Sequence, residues 1–318
     1  MAARIPIPEE LRDRAFSIAE GNAAGLTKKA LARQSLARPY RGVRATEPAL
    51  TSREQVLRFG PRLRGGQALS GPSALRVYGL PVPRRHRSET VDVLARQSAS
   101  RPRAAGVRAR RIRDDLWEAD LIEGVRVVPV PLLFTLLASS FSETELVTVG
   151  DAMISDFDRY PGRVSSGSLT QLTCLEDAVE RWGRLRGCSV LRGALPRLRE
   201  HVASPPESWL RCLIVDAGIE EPAVNADIHA GGRFLARGDL VFRAQRVVVE
   251  YEGEGHLSPA QFRRDITRTE ALIAAGWRAS SASPTLTCSP TPPPSSRGCV
   301  RRCPGSAAAR QAGSAVAR

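Results

Sequence analysis

A multidomain α/β chain is the fold class that the 318-residue sequence predicts, and three observations predict it. Residues 1–60 read as two short helices around a glycine turn, followed by a strand or hairpin, the outline of a winged helix-turn-helix. Residues 61–150 alternate helical and strand patterns, a second α/β unit. Residues 205–280 carry a glycine hairpin, a β-branched run and a long capped helix, the pattern of a mixed sheet flanked by helices.

In the first segment, Leu11, Ala15 and Ile18 make an apolar stripe on one helix. Thr27 is the expected N-cap of the next, whose Leu31 and Leu36 face the first. Lys28, Lys29, Arg33, Arg38, Arg41 and Arg44 surround that second helix, which suits phosphate contact as well as an ordinary arginine-rich surface. In the central segment, GPSALRVYGL is expected to form a helix capped by Ser73 and stopped at Gly79. ETVDVLAR and GVRVVPV read as strands and PLLFTLLASSF as a buried helix. Between them, Arg101, Arg103, Arg108, Arg110, Arg111 and Arg113 form a run without an acid until Asp114. Such a run is either a phosphate-binding surface or a solvated hairpin face. Residues 151–204 read as a helical connector without chemistry.

Charge separates the segments. Residues 1–204 hold 33 Lys+Arg against 22 Asp+Glu, whereas residues 205–280 hold 9 against 11. A basic part that grips a polyanion beside an acidic part that works on it is the physical reading, so DNA is the expected partner. No apolar run reaches the ~20 residues of a membrane span, and the opening MAARIPIPEELRDRAF lacks a signal-peptide core. A cytoplasmic protein is expected, with no membrane partner and no small-molecule cofactor; the pattern sets no oligomeric state. The six cysteines show no zinc-site spacing and read as free thiols. Residues 281–318, rich in Pro, Ser, Ala and Arg and without acids, are expected to be a disordered tail, consistent with a shifted reading frame.

The chemistry is expected in residues 205–280. PPESWLRCLIVDAG is a helix with Trp209, Leu210, Leu213 and Ile214 as its apolar face, and the following hairpin turns at Gly231 and Gly232. RVVVEYEG is a central strand that places Glu250 and Glu252 on one face. Asp239 opens the neighbouring strand DLVF, and strands lie roughly 4.8 Å apart, so Asp239 and Glu250 are candidates to share one divalent cation. Hard carboxylate oxygens favour Mg²⁺ or Mn²⁺. His256 is the candidate acid/base, Glu207 a supporting carboxylate, and Gln261, Asp265 and Arg268 share one face of the helix SPAQFRRDITRTEALIAAG. After that helix, GW is expected to begin another strand.

The motifs ES-x-LR, RGDLVF, VVEYEG-x-GH and QF-x-x-D-x-x-R-x-x-x-L-x-x-x-GW resemble the very-short-patch-repair-like endonuclease domain of the PD-(D/E)xK superfamily. The resemblance implies a restriction-endonuclease-like mixed sheet and a metal-dependent nuclease. It carries catalytic roles onto Glu207, Asp239, Glu250, Glu252 and His256, with Asp239 and Glu250 as metal ligands and Arg268 near the scissile phosphate. Glu252 stands where the superfamily has its lysine. GLTKKAL, RPYRGV and SGPSALRVYGL are similar to winged-helix AbiEi-type antitoxin and regulator proteins. That second resemblance implies DNA contact through Lys28, Lys29, Arg33 and Arg41, with Arg108, Arg110 and Arg111 as further phosphate-binding candidates. It also supplies the alternative of a non-catalytic DNA-binding transcriptional regulator.

Overall fold

The computed structural model describes residues 7–33, 35–251, 259–282 and 301–302; of residues 259–266 and 301–302 it describes the backbone alone. The architecture is mixed α/β with two mixed five-stranded sheets and a small two-stranded one. The chain divides into two compact units, residues 1–200 and 201–318.

The first unit begins with α1 (Glu9–Arg12), β1 (Phe16–Ser17), α2 (Ile18–Ala23), α3 (Lys28–Leu31) and β2 (Val43–Arg44). The single amphipathic helix expected through Ile18 is broken in two. Ser17 and Glu20 form a reciprocal capping box: the Glu20 N–H donates to Ser17 Oγ at 3.1 Å, and the Ser17 N–H to Glu20 Oε2 at 2.7 Å. That start signal leaves Phe16 on a strand that pairs with β2. Phe16 therefore fills the small core with Leu11, Leu26, Ala30 and Leu31, while Ile18 faces outward. Thr27 caps α3 as expected, accepting from the Ala30 N–H at 3.2 Å. Leu36 is buried, but Arg44 is turned inward to the backbone, its Nε donating to the Leu31 carbonyl at 2.7 Å.

Next come α4 (Ser52–Leu57), β3 (Gln67–Leu69), α5 (Gly71–Tyr78), β4 (Val91–Arg96), β5 (Val107–Ile112), β6 (Asp120–Ile122) and β7 (Val125–Val127). The strand order is β5-β4-β3-β7-β6, with β3–β4 and β6–β7 antiparallel and β4–β5 and β3–β7 parallel. Ser73 is not the N-cap of α5. Ser70 holds that place, and Ser73 sits inside the helix, its Oγ accepting from the Asp92 N–H at 2.8 Å. Pro72 at the second helical position fixes the start one turn earlier than the sequence pattern implied. Gly79 ends the helix in the left-handed conformation, φ 71°.

The unit closes with α6 (Val130–Leu137), α7 (Glu143–Ile154), α8 (Leu172–Trp182) and α9 (Cys188–Ala194). Residues 151–200 contribute to this unit's own core: Ala152, Met153, Leu175, Leu191 and Leu198 are buried beside Leu133, Phe134 and Leu146. Asp151 is fully buried and accepts from the Arg199 N–H at 2.7 Å, fastening the end of the segment to α7.

The second unit is built from α10 (Pro205–Asp216), β8 (Ala223–Ala230), β9 (Arg233–Phe242), β10 (Val247–Tyr251), α11 (Pro259–Ala274), β11 (Arg278–Ala282) and β12 (Arg301–Arg302). The sheet runs β12-β11-β10-β9-β8. The hairpin β8–β9 turns on Gly231 (φ 55°) and Gly232 (φ 78°), as the sequence predicts, because a two-residue turn of the twist-compatible type requires positive φ at both positions. A parallel β10–β11 pair needs a crossover, and α11 supplies it. Ile228, Ala236, Val241, Val248 and Leu272 form the core, with Trp277 packed against it. The strand expected after GW is therefore present as β11. Ser281 and Ala282 belong to it and Arg301–Arg302 to β12, which corrects the tail boundary at those four positions. The rest of the expected tail, 283–300 and 303–318, lies outside the described residues, as do Cys288, Cys299 and Cys303. Among the described residues Cys174, Cys188 and Cys212 form no disulfide.

Candidate functional site

Two of the predicted acids stand where β9 runs beside β10. The β9–β10 ladder ends with Val249 opposite Leu240, and Glu250 and Asp239 are the next residues beyond that last pair. Gly238 makes this approach possible: a Cβ there would lie 2.6 Å from Val248 Cγ1 and 2.9 Å from Val241 Cγ2. The glycine of the RGD triplet thus lets β9 lie close to β10 immediately before Asp239.

Asp239 is half-buried, and its Oδ2 accepts from the Tyr251 N–H at 2.8 Å. Burial pushes its carboxyl above the ordinary carboxylate range, against the lowering effects of that N–H and of Arg268. Glu250, also half-buried, is ion-paired with Arg268 of α11. A guanidinium thus balances one of the two strand-end acids.

Glu207 stands at the third position of α10 and is 6% exposed. Its Oε1 accepts from Ser204 Oγ at 2.7 Å, and its Oε2 from the Ala203 N–H at 3.0 Å and Asn225 Nδ2 at 2.7 Å. Burial again raises the carboxyl, and the charge of Asp239 adds to the rise, which places the two acids in one electrostatic neighbourhood. Asn225 also donates to the His201 carbonyl at 2.8 Å and takes a positive φ of 44°. Asparagine is among the few residues that tolerate this conformation. Sequence reasoning missed Asn225 because it falls within an alternating strand pattern that gives no sign of the reversal.

The buried face of α10 is a second correction. Glu207, Ser208, Arg211 and Cys212 are buried, while Trp209, Leu210 and Ile214 are partly exposed and Leu213 is 38% exposed. Arg211 is 1% exposed and pairs with Glu221 at 2.8 Å, so an ion-paired guanidinium lies on the buried face in place of the apolar side chains expected there.

Glu252 and His256 lie outside the described residues, as do the side chains of Gln261 and Asp265. Among the described residues no group of three or more His, Cys, Asp or Glu is arranged to hold a metal ion. Glu207, Asp239, Glu250 and Arg268 come from four elements and are linked by the Glu250–Arg268 ion pair, by the charge of Asp239 felt at Glu207 and by that of Arg268 felt at Asp239.

The predicted DNA-contact residues separate into two kinds. Lys28, Lys29 and Arg41 are exposed and Arg33 is partly buried. Arg108 is engaged by the buried Asp92, Nε to Oδ1 at 2.5 Å, and Arg110 by the Ser139 hydroxyl. Arg111 reaches the Ala99 carbonyl only at 3.4 Å. Among the described residues no helix is long and apolar enough to cross a membrane.

No family model matches the chain. It is 34% identical over 104 residues to uncharacterized proteins MT2308 and Rv2248 of two Mycobacterium tuberculosis strains. That match takes in 32% of this chain and 38% of each relative, so the chain spans well under half the length of the curated relatives it matches. The crystal structure of the RV2827C protein from Mycobacterium tuberculosis is similar at a TM-score of 0.35 and 14% identity, over 69% of this chain and 84% of that one.

Proposed function

We propose that this protein is a metal-dependent DNA endonuclease or nickase whose hydrolytic site lies where Asp239, which stands within β9 rather than opening a strand as expected, meets the C-terminal end of β10. The observation that carries the reading is the hydrogen bond from the Tyr251 N–H to Asp239 Oδ2 at 2.8 Å, which brings Asp239 to the end of β10 beside Glu250. The donor set fits Mg²⁺ or Mn²⁺: Mg²⁺ is commonly held by one or two carboxylates with waters completing the octahedron. Asp239 and Glu250 would hold the ion; Tyr251 takes one Asp239 oxygen and leaves the other for it. A bound divalent ion polarises a phosphoryl oxygen and lowers the pKa of a water. Glu207, engaged by three donors of its own unit, orients the loop and Asn225 beside that pair and acts as a positioning residue. Arg268 is the cation nearest Glu250, suited to a phosphate oxygen once the carboxylates are balanced otherwise. Glu252 and His256 retain the roles the resemblance gives them, support and acid/base.

A second reading rests on the same ion pair. Arg268 neutralises Glu250 without any metal, which suits a non-catalytic DNA-binding regulator in which the second unit is a scaffold. Nicking of supercoiled plasmid in Mg²⁺ or Mn²⁺ separates the two. The nuclease reading expects nicking that falls by more than about 100-fold in Asp239→Ala, since groups that merely support a metal ligand are worth about 10- to 100-fold. Plasmid binding without nicking by folded wild-type protein would select the regulator.

A further inference from the structure

The arginine run of residues 101–113 is sorted by the fold into engaged and free members. Arg108 is tied to Asp92, Arg113 to Asp115, and Arg110 to Ser139. Arg101 and Arg103 make no hydrogen bond or ion pair among the described residues and are exposed. Both line a cavity of about 490 Å³ whose other walls include Pro102, Val107 and Ala109, and no acid lines it. The cavity adjoins β5, which is the edge strand of the first unit's sheet. An edge strand offers unpaired backbone N–H groups, and such groups commonly contact phosphate.

Two unpaired guanidiniums over one acid-free cavity are a receptor for a tetrahedral oxyanion, because the planar fork of arginine matches two phosphate oxygens at once. We infer that this cavity binds a phosphodiester of DNA through Arg101 and Arg103. It thereby gives the first unit a phosphate contact separate from α3; the inference rests on the DNA-binding part of the proposed function. The residues singled out differ from Arg108 and Arg110, whose positive charge is already committed within the unit.

The test compares full-length wild type, Arg101→Ala/Arg103→Ala, and a control of equal charge loss, Arg184→Ala/Arg192→Ala, all with matching thermal melts. Affinity for a short fluorescent DNA duplex is measured against salt concentration, with inorganic phosphate as a second probe. Each neutralised phosphate contributes about 0.9 to the slope of log K against log salt, so the cavity variant is expected to lose about 0.9 from that slope while the control keeps it. Equal slopes in both variants overturn the inference and leave the DNA reading intact. Phosphate binding lost in the cavity variant with unchanged duplex binding overturns the DNA assignment of the cavity. A wild-type protein that binds neither probe removes both the inference and the proposed function.

Discussion

Glu207 and Asp239 pose the residue-scale question of how two neighbouring carboxyls are kept near one place. Both are held above the ordinary carboxylate range, burial being the first cause in each. Between the ordinary and the raised values the native protein binds more protons than the unfolded chain, so the stabilisation is fully present below the ordinary values, is lost as pH climbs through the raised ones and changes no further above them. Thermal melts between about pH 4 and 7 are expected to show that trend in wild type, and Glu207→Gln and Asp239→Asn each to flatten it. Divalent metal favours the ionised carboxylates, so Mg²⁺ addition in weak buffer is expected to release protons from wild type and not from Asp239→Asn. Removing the Glu207 side chain has a different effect. Glu207→Ala leaves the Asn225 amide, the Ser204 hydroxyl and the Ala203 N–H without their acceptor. A loss of about 1–3 kcal/mol in urea unfolding is expected.

At the scale of elements, the site depends on how close β9 comes to β10. Gly238→Ala pushes a methyl into Val248 and Val241. Overpacking of this kind costs about 1–3 kcal/mol, and the same displacement moves Asp239, so nicking is expected to fall more than the melting temperature alone explains. Parallel melts and plasmid assays check this. In the first unit, Ser17→Ala removes the capping-box acceptor of α2 and is expected to cost about 1 kcal/mol, measured by denaturant titration. These elements also show what was legible in the sequence. The Gly231–Gly232 turn, the Thr27 cap and the strand after Gly276 could be read because each depends on local chemistry: positive φ, a side-chain acceptor, a helix stop. The split of the first helix was also written locally, in Ser17 and Glu20, but the apolar stripe through Ile18 outweighed it. The buried face of α10 was illegible for another reason. Which side of an amphipathic helix turns inward is decided by what receives it, and Arg211 is received by Glu221, ten residues away in sequence.

For the whole molecule, composition and contact structure divide the chain at nearly the same point. Residues 1–204 carry the excess of 33 basic over 22 acidic side chains, and the contact boundary falls after Glu200. The proposed function, a polyanion gripped by the first unit and cut by the second, requires binding and cleavage to separate on mutation. Asp239→Ala is expected to leave duplex affinity and its salt slope unchanged in a fluorescence-anisotropy titration while plasmid nicking is lost. A slope that shifts with Asp239 would place the principal phosphate contacts in the second unit instead. The two-carboxylate site itself comes late in the chain. β10, which carries Glu250, is flanked on one side by β9 and on the other by β11, and the latter pairing is parallel and made through α11. Since chains emerge from the ribosome N-terminus first, the first unit is free to fold while the acids are still being synthesised. The sheet around Asp239 and Glu250 closes only after residue 282 has left the exit tunnel. The order of synthesis therefore acts as a timer: a nascent chain truncated before β11 has the basic first unit without the completed sheet around Asp239 and Glu250.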